Sequence, residues 1–233
     1  MNILGTASYK TKKGEKDGYL TGILYLAPSN EIGNAHKKHA NVNLCPGATA
    51  ECRAACLFTA GRGVMSNVYN GRIRKTKLFL EDRETFKSQL RDDIKTLIRR
   101  GDRENLIPCV RLNGTSDIVW EKYAADIMAE FSKIQFYDYT KIAGRFKKRL
   151  PANYHLTFSR SGENDQDCIQ LLEAGHNVAV VFSGELPETW QGFKVVDGDK
   201  NDLRFLDGKG VVVGLKAKGR ARGASVGGFV VQS

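Results

Sequence analysis

The amino-acid sequence predicts an α/β fold with a mainly parallel sheet, a single domain built as a partial or complete (β/α) barrel. Three observations lead there. Short apolar runs rich in β-branched and aromatic residues alternate with longer segments whose apolar positions recur at threes and fours, as strands alternate with amphipathic helices. The most polar residues fall directly after the strand-like runs, and in parallel α/β folds and barrels the carboxyl ends of the strands form the active face. At 233 residues the chain can bury a sizeable core without disulfide staples, and no repeat or low-complexity linker divides it.

Tyr9 to Gly18 is polar and lysine-rich, so residues 1–17 are expected to be a mobile start or an edge hairpin. Gly18 to Ala27 (G-Y-L-T-G-I-L-Y-L-A) is the first buried strand, ended by Pro28-Ser29-Asn30. Between Ser66 and Arg100, apolar positions from Ile73 to Ile98 keep helical spacing. Glu81-Asp82-Arg83 interrupts them, with Asp82 and Thr85 forming a new N-cap. Leu106 to Leu112 is a strand whose exit loop, Asn113 to Asp117, offers Ser116 or Asp117 as cap of a helix over Ile118 to Ser132. Ile134 to Tyr139 and Tyr154 to Ser159 are further strands. A helix over Glu163 to Ala174, closed by Gly175, leads to the strand Asn177 to Phe182. Phe193 to Val196 and Val211 to Leu215 are weaker strand patterns, and residues 216–233 are expected to be a docked tail.

The stretch Leu44 to Leu57 carries Cys45, Cys52 and Cys56 in a C-x6-C-x3-C spacing, directly after the first strand. Pro46-Gly47 folds the loop back, and the last two thiols share a face if the segment is helical. Three soft ligands converging on one point suit an iron–sulfur cluster or zinc. Zinc requires a fourth ligand, for which His36, His39 or Cys109 are candidates. Three thiols without a fourth leave one iron of a cluster open. Packing as small buried residues is the metal-free alternative, and it is the expected role of Cys109 and Cys168.

Other strand exits supply the remaining site candidates. Asp117, Asp138 and Lys141 are candidate catalytic groups, for acid–base chemistry or for a divalent metal. Arg111, Asn113, Ser116, Tyr139, Ser159, Asp197, Asp199 and Lys216 are candidate substrate-binding residues on the same edge. Helix capping competes as the role of Asp117, and turn formation as that of Asp197-Gly198-Asp199. Strand alternation puts Tyr137 and Tyr139 on one face, where a tyrosine can stack a base while Lys141 meets phosphate.

The net charge of +10, from 36 Lys and Arg against 26 Asp and Glu, favours a polyanionic partner, DNA or RNA. The candidate contacts form three sets: Arg72, Arg74 and Lys75; Arg145, Lys147 and Lys148; and Lys218, Arg220 and Arg222. A solvated helix face is the competing reading of the first. No apolar run approaches the length of roughly 20 residues that a membrane helix needs. The first residues lack the charged start and apolar core of a signal peptide, so a cytoplasmic protein with no membrane partner is expected. Neither a Walker pattern nor a G-x-G-x-x-G opens a helix.

The runs C-P-G-A-T-A-E-C-R-A-A-C-L-F-T-A-G-R-G, V-R-L-N-G-T-S-D-I, Q-F-Y-D-Y-T-K and P-A-N-Y-H-L-T-F-S resemble the gene-product-eighty-eight-like family of phage and prophage proteins. So do V-V-D-G-D-K-N-D-L-R-F-L-D and G-L-K-A-K-G-R-A-R. The resemblance covers most of the chain from about Leu44 onward. It implies a phage or integrated-element origin and a bacterial host cytoplasm, and brings no activity with it. A cysteine triad after the first strand of an α/β barrel also resembles the cluster loop of radical S-adenosylmethionine enzymes. That resemblance implies a [4Fe–4S] cluster on Cys45, Cys52 and Cys56 with S-adenosylmethionine on its open iron. The spacing departs from the common C-x3-C-x2-C, and Ala55 stands where an aromatic residue is usual. The leading expectation is therefore a phage-type iron–sulfur enzyme acting on nucleic acid or a nucleotide. The alternatives are a non-catalytic zinc-containing DNA- or RNA-binding protein and a metal-dependent nuclease using the strand-exit aspartates.

Overall fold

The computed structural model describes residues 2–6, 9–56, 58, 61–222 and 227–233. The strands are β1 (Leu4–Gly5), β2 (Tyr19–Leu24), β3 (Ile107–Arg111), β4 (Gln135–Thr140), β5 (Tyr154–Ser159), β6 (Val178–Phe182), β7 (Thr189–Trp190), β8 (Phe193–Asp197), β9 (Val212–Lys216) and β10 (Val230–Val231). The helices are α1 (Tyr9–Glu15), α2 (Glu31–Ala35), α3 (Ala50–Ala54), α4 (Ser66–Glu81), α5 (Arg83–Glu104), α6 (Trp120–Tyr123), α7 (Ala125–Glu130) and α8 (Asp165–Glu173). Together they make a mixed α/β protein on one ten-stranded, mostly parallel sheet in the order β1-β2-β3-β4-β5-β6-β9-β8-β7. The sheet stays open: among the described residues no pairing joins its two ends, so the complete barrel among the sequence expectations does not form.

From β2 to β6 each strand pairs in parallel with the next one in the chain. Then β8 skips a place and β9 fills the gap, parallel to β6 on one side and to β8 on the other. β5 pairs with β6 only through Phe158–Val178 and Ser159–Ala179. Above that point β10 pairs with β6 at Val181 and Phe182, so the C-terminal segment docks at the carboxyl edge as expected of a tail. Positions 223–226 of that tail lie outside the described residues.

Side chains alternate across the strands and build two different layers. Leu20, Leu24, Val110, Phe136 and Leu156 pack outward against Phe79 of α4, Phe86, Leu90 and Ile94 of α5, and Trp120. Phe158, Val178, Val180 and Val212 pack on Cys168 and Leu172 of α8. On the inner face, the connection from β8 to β9 runs through the concavity. Its Leu203 and Phe205 pack on Cys109, Tyr137 and Tyr19. Gly198 belongs to this passage: a Cβ there would lie 2.5 Å from Val213 and 2.7 Å from the Arg204 guanidinium, so the close approach requires glycine.

The helical break falls where its residues predict. Asp82 ends α4, and its side chain accepts a hydrogen bond from the Thr85 amide to open α5. Two expectations need correction. The lysine-rich start forms α1 over Tyr9–Glu15, not a hairpin or a mobile lead, with positions 1, 7 and 8 outside the described residues. The single helix over 118–132 is instead α6 and α7, broken at Ala124, and neither Ser116 nor Asp117 caps it. Asn113 orders that loop: its side-chain oxygen accepts from the Ile118 amide, the Ser116 hydroxyl and the Trp120 indole. Cys109 and Cys168 are fully buried, as expected of core thiols. Among the described residues, no helix is long and apolar enough to cross a membrane.

Candidate functional site

A cavity of about 240 Å³ opens at the carboxyl ends of β3, β4, β5, β6 and β9. One wall is the cysteine loop. Pro46 and Gly47 make a turn closed by the Ala48 amide on the Cys45 carbonyl, and Gly47 lies against Lys141, where a Cβ would sit 2.8 Å from the Lys141 Cβ. Thr49 caps α3 through the Cys52 amide, which sets Cys52 in the first turn of that helix. The helix ends at Ala54, so Cys56 lies beyond it rather than one full turn along it. All three thiols nevertheless line the cavity.

Their surroundings differ. The Cys45 sulfur accepts from the Ser29 amide at 3.2 Å and lies 3.7 Å from the Thr115 carbonyl. Burial pushes its pKa up to about 12, against the lowering effect of that amide and of Lys141. Burial also raises Cys56, opposed by a backbone hydrogen bond from Phe58 and by the charges of Lys141 and Arg72. Arg72 is buried behind this loop, donating to the Phe58 carbonyl at 3.3 Å with its guanidinium 4.9 Å from the Phe58 ring. Among the described residues, no three His, Cys, Asp or Glu side chains are gathered closely enough to hold a single metal ion. His39 bonds Glu81 at 2.9 Å and does not line the cavity.

The cavity lining also carries cations. Arg111 lies at the end of β3, paired through Nη1 with Asp202 at 2.6 Å and covered by the Tyr139 ring at 4.6 Å. Lys141 donates to the Ser159 hydroxyl at 3.0 Å, and its ammonium lies 5.9 Å from the Phe229 ring. Lys216 and Lys218 stand at the rim, where Lys216 pairs with Glu185 and Lys218 with Asp199. Asp117 lines the wall and accepts from the Lys141 amide at 2.8 Å, with its other oxygen 3.6 Å from Arg145.

The cavity thus brings together most of the predicted site residues: the three thiols, Arg111, Asn113, Ser116, Asp117, Tyr139, Lys141, Ser159, Asp199, Lys216 and Lys218. It leaves others out. Asp138 faces the helical layer, where it accepts from the Asn113 amide at 2.6 Å and from the Tyr154 hydroxyl at 2.7 Å. Burial lifts its pKa to about 7 against those two bonds. Strand alternation is the reason: with Tyr137 and Tyr139 turned inward, Asp138 must turn outward. Asp197 is exposed and accepts from the Asp199 amide in a turn. Asn113 lines the cavity, yet its side chain is occupied within its own loop.

The three basic sets are not wholly exposed. Arg72 and Arg145 are buried, the latter in a two-pronged pair with Glu121 and bonded to Tyr154. Lys75 donates to the Ile3 carbonyl, whereas Arg74, Lys147, Lys148, Arg220 and Arg222 are exposed away from the cavity lining. The sequence reading missed Asp202, Glu51 and Phe229. Asp202 lies in a run that reads as turn, and its partner Arg111 is 91 positions away. Glu51, between the first two thiols, accepts from the Phe229 amide at 2.9 Å and ties the docked tail to the cysteine loop. Arg160 holds the same tail through the Gly228 carbonyl.

Fold and site define an α/β protein on an open, mostly parallel sheet with a thiol- and cation-lined cavity at its carboxyl edge. The chain belongs to the Gene product 88 family, whose model matches residues 3–230. No curated protein and no solved structure matches it, and nothing in these comparisons supports the resemblance to radical S-adenosylmethionine enzymes.

Proposed function

We propose that this phage-type protein is an enzyme in which Cys45, Cys52 and Cys56 hold an iron–sulfur cluster, [4Fe–4S] in form, and that it acts on a nucleotide or nucleic acid. The observation that carries the reading is the convergence of all three thiols on one cavity with Arg111, Lys141, Lys216 and Lys218. The donor set fits the group. Three thiols around a shared space suit a multi-iron cluster better than a single ion, and hydrogen bonds to the sulfurs, here from Ser29 and Phe58, are a usual means of tuning such centres. The order β2-β3-β4-β5-β6, winding one way as in a barrel, supports a partly closed (β/α) barrel as the frame.

Three thiolates leave one iron open, and S-adenosylmethionine is the co-substrate this reading assigns to it. The bound group would supply one-electron chemistry. The chain's own residues do the rest. Lys141, oriented by Ser159 and by the Asp117 carboxylate on its backbone, presents a cation beside the thiols. Phe229 and the tail that carries it narrow the opening toward water.

Zinc has less support, because no histidine lines the cavity to complete a four-ligand site. The nuclease reading loses two of its aspartates, since Asp138 and Asp197 lie outside the cavity. The non-catalytic nucleic-acid binder loses two of its predicted contacts, since Arg72 and Arg145 are buried. Anaerobic purification with iron and sulfide analysis is the test. The expected result is about four irons per chain, with visible absorbance lost in Cys45→Ala, Cys52→Ala and Cys56→Ala. Stoichiometric zinc without iron rejects the cluster. An electron paramagnetic resonance spectrum of the reduced centre that ignores added S-adenosylmethionine rejects the co-substrate.

A further inference from the structure

The cavity lining has polar capacity that the fold does not use. Arg111 is nine-tenths buried and lines the cavity. Its Nη1 is taken by Asp202, while its Nε is buried without a hydrogen-bond partner. The Tyr139 hydroxyl, on the ring that covers the same guanidinium, is likewise buried and unpartnered. Other buried polar atoms also lack partners, but these two are donors on neighbouring strands that line one cavity, a place where a ligand can supply the acceptor. Lys141, which lines the same cavity beside the cysteine loop, bonds the Ser159 hydroxyl, and no carboxylate is in salt-bridge distance of its ammonium among the described residues.

From this geometry we infer that Arg111, Tyr139 and Lys141 form a subsite for the phosphate of a small phosphate monoester, the size of a free nucleoside monophosphate. The inference rests on the proposed nucleotide chemistry of this cavity and narrows it from polymer to small molecule. A space of about 240 Å³ is small for a strand, which favours a single small group at this subsite. A polymer would need cations spread over an open face, and two of those predicted to supply them, Arg72 and Arg145, are buried in the fold. Arginine provides a planar fork for phosphate oxygens, and tyrosine adds a neutral donor at its side.

The test is calorimetric titration of the full chain at fixed ionic strength. The probes are the four 2′-deoxynucleoside 5′-monophosphates, their nucleosides, inorganic phosphate, succinate and a short single-stranded oligonucleotide. Monophosphates should bind and compete with inorganic phosphate, and the nucleosides and succinate should not. Tyr139→Phe keeps the ring over Arg111 and should weaken the monophosphates by about tenfold without lowering the melting temperature. Arg111→Lys keeps a cation against Asp202 and should weaken them at least as much. Equal binding of nucleoside, tighter binding of succinate or of the oligonucleotide, or wild-type affinity in Tyr139→Phe overturns the inference. Iron measured on the same samples reports separately on the cluster. An iron-free chain that binds monophosphate leaves the subsite standing, and an iron-loaded chain that binds none removes the subsite alone.

Discussion

Strand β4 carries polar chemistry on both of its faces, and the two sides are treated differently. Outward, Asp138 takes hydrogen bonds from Asn113 and Tyr154, and Arg145 is clamped by Glu121 and Tyr154. Inward, Tyr139 and the neighbouring Arg111 keep buried donors without partners. A buried polar group left unmet costs about 1–3 kcal/mol, and the outer network is the more fully bonded of the two, although Arg145 Nη1 and Asp117 Oδ1 face each other at 3.6 Å without a hydrogen bond. The outer constellation is a strut between strands and helices. The inner one is where the proposed ligand would supply acceptors.

The outer strut should therefore fail by unfolding. Arg145→Met leaves Glu121 without its cation and should cost about 3 kcal/mol in urea denaturation. Asp138→Ala strands the Tyr154 hydroxyl and the Asn113 amide, with an expected loss of about 2 kcal/mol. A loss below the measurement error in both would remove the distinction between the two faces.

The pH dependence sharpens it. Asp138 has a folded pKa of about 7, raised by burial above its ordinary value of 3.8. Between those values the folded state holds a proton that the unfolded state has released, so stability falls as pH rises through the window and levels off above about 7. Asp138→Asn, which stays neutral, should flatten that part of a stability profile measured by denaturant melts.

Smaller effects belong to the cavity side. Glu51→Ala frees the Phe229 amide and should cost about 1 kcal/mol, with faster proteolysis of the C-terminal residues as the readout. Lys141→Met loses only a hydroxyl partner and should shift stability by less than about 0.5 kcal/mol. A large destabilisation by Lys141→Met would make the inner cation structural and end the contrast.

The fold and the site were legible to different depths. Local signals carried far: the Asp82 cap, the strand and helix patterns that bury Cys109 and Cys168, and the turn at Pro46-Gly47 all depend on neighbours within a few residues. The edge on which polar residues gather was legible too, because parallel strands put all their exits on one side. The direction of a polar residue within a strand was not. Asp138 and Tyr139 are equally polar to a sequence reading, and only the inward packing of Tyr137 on Phe205 decides that Asp138 meets the helices.

By itself, then, the sequence determined the succession of the main strands and helices, the thiol-bearing loop that follows β2, and the carboxyl edge on which the polar strand exits gather. Tertiary structure alone decided that the sheet stays open, that Asp202 reaches Arg111 and Glu51 reaches Phe229, and that Arg72 and Arg145 are buried rather than offered to a partner. The physical reason is range. Helix periodicity, capping and strand alternation are set by contacts a few residues apart, whereas charge pairing and burial are settled by which distant segments the packed core brings into reach.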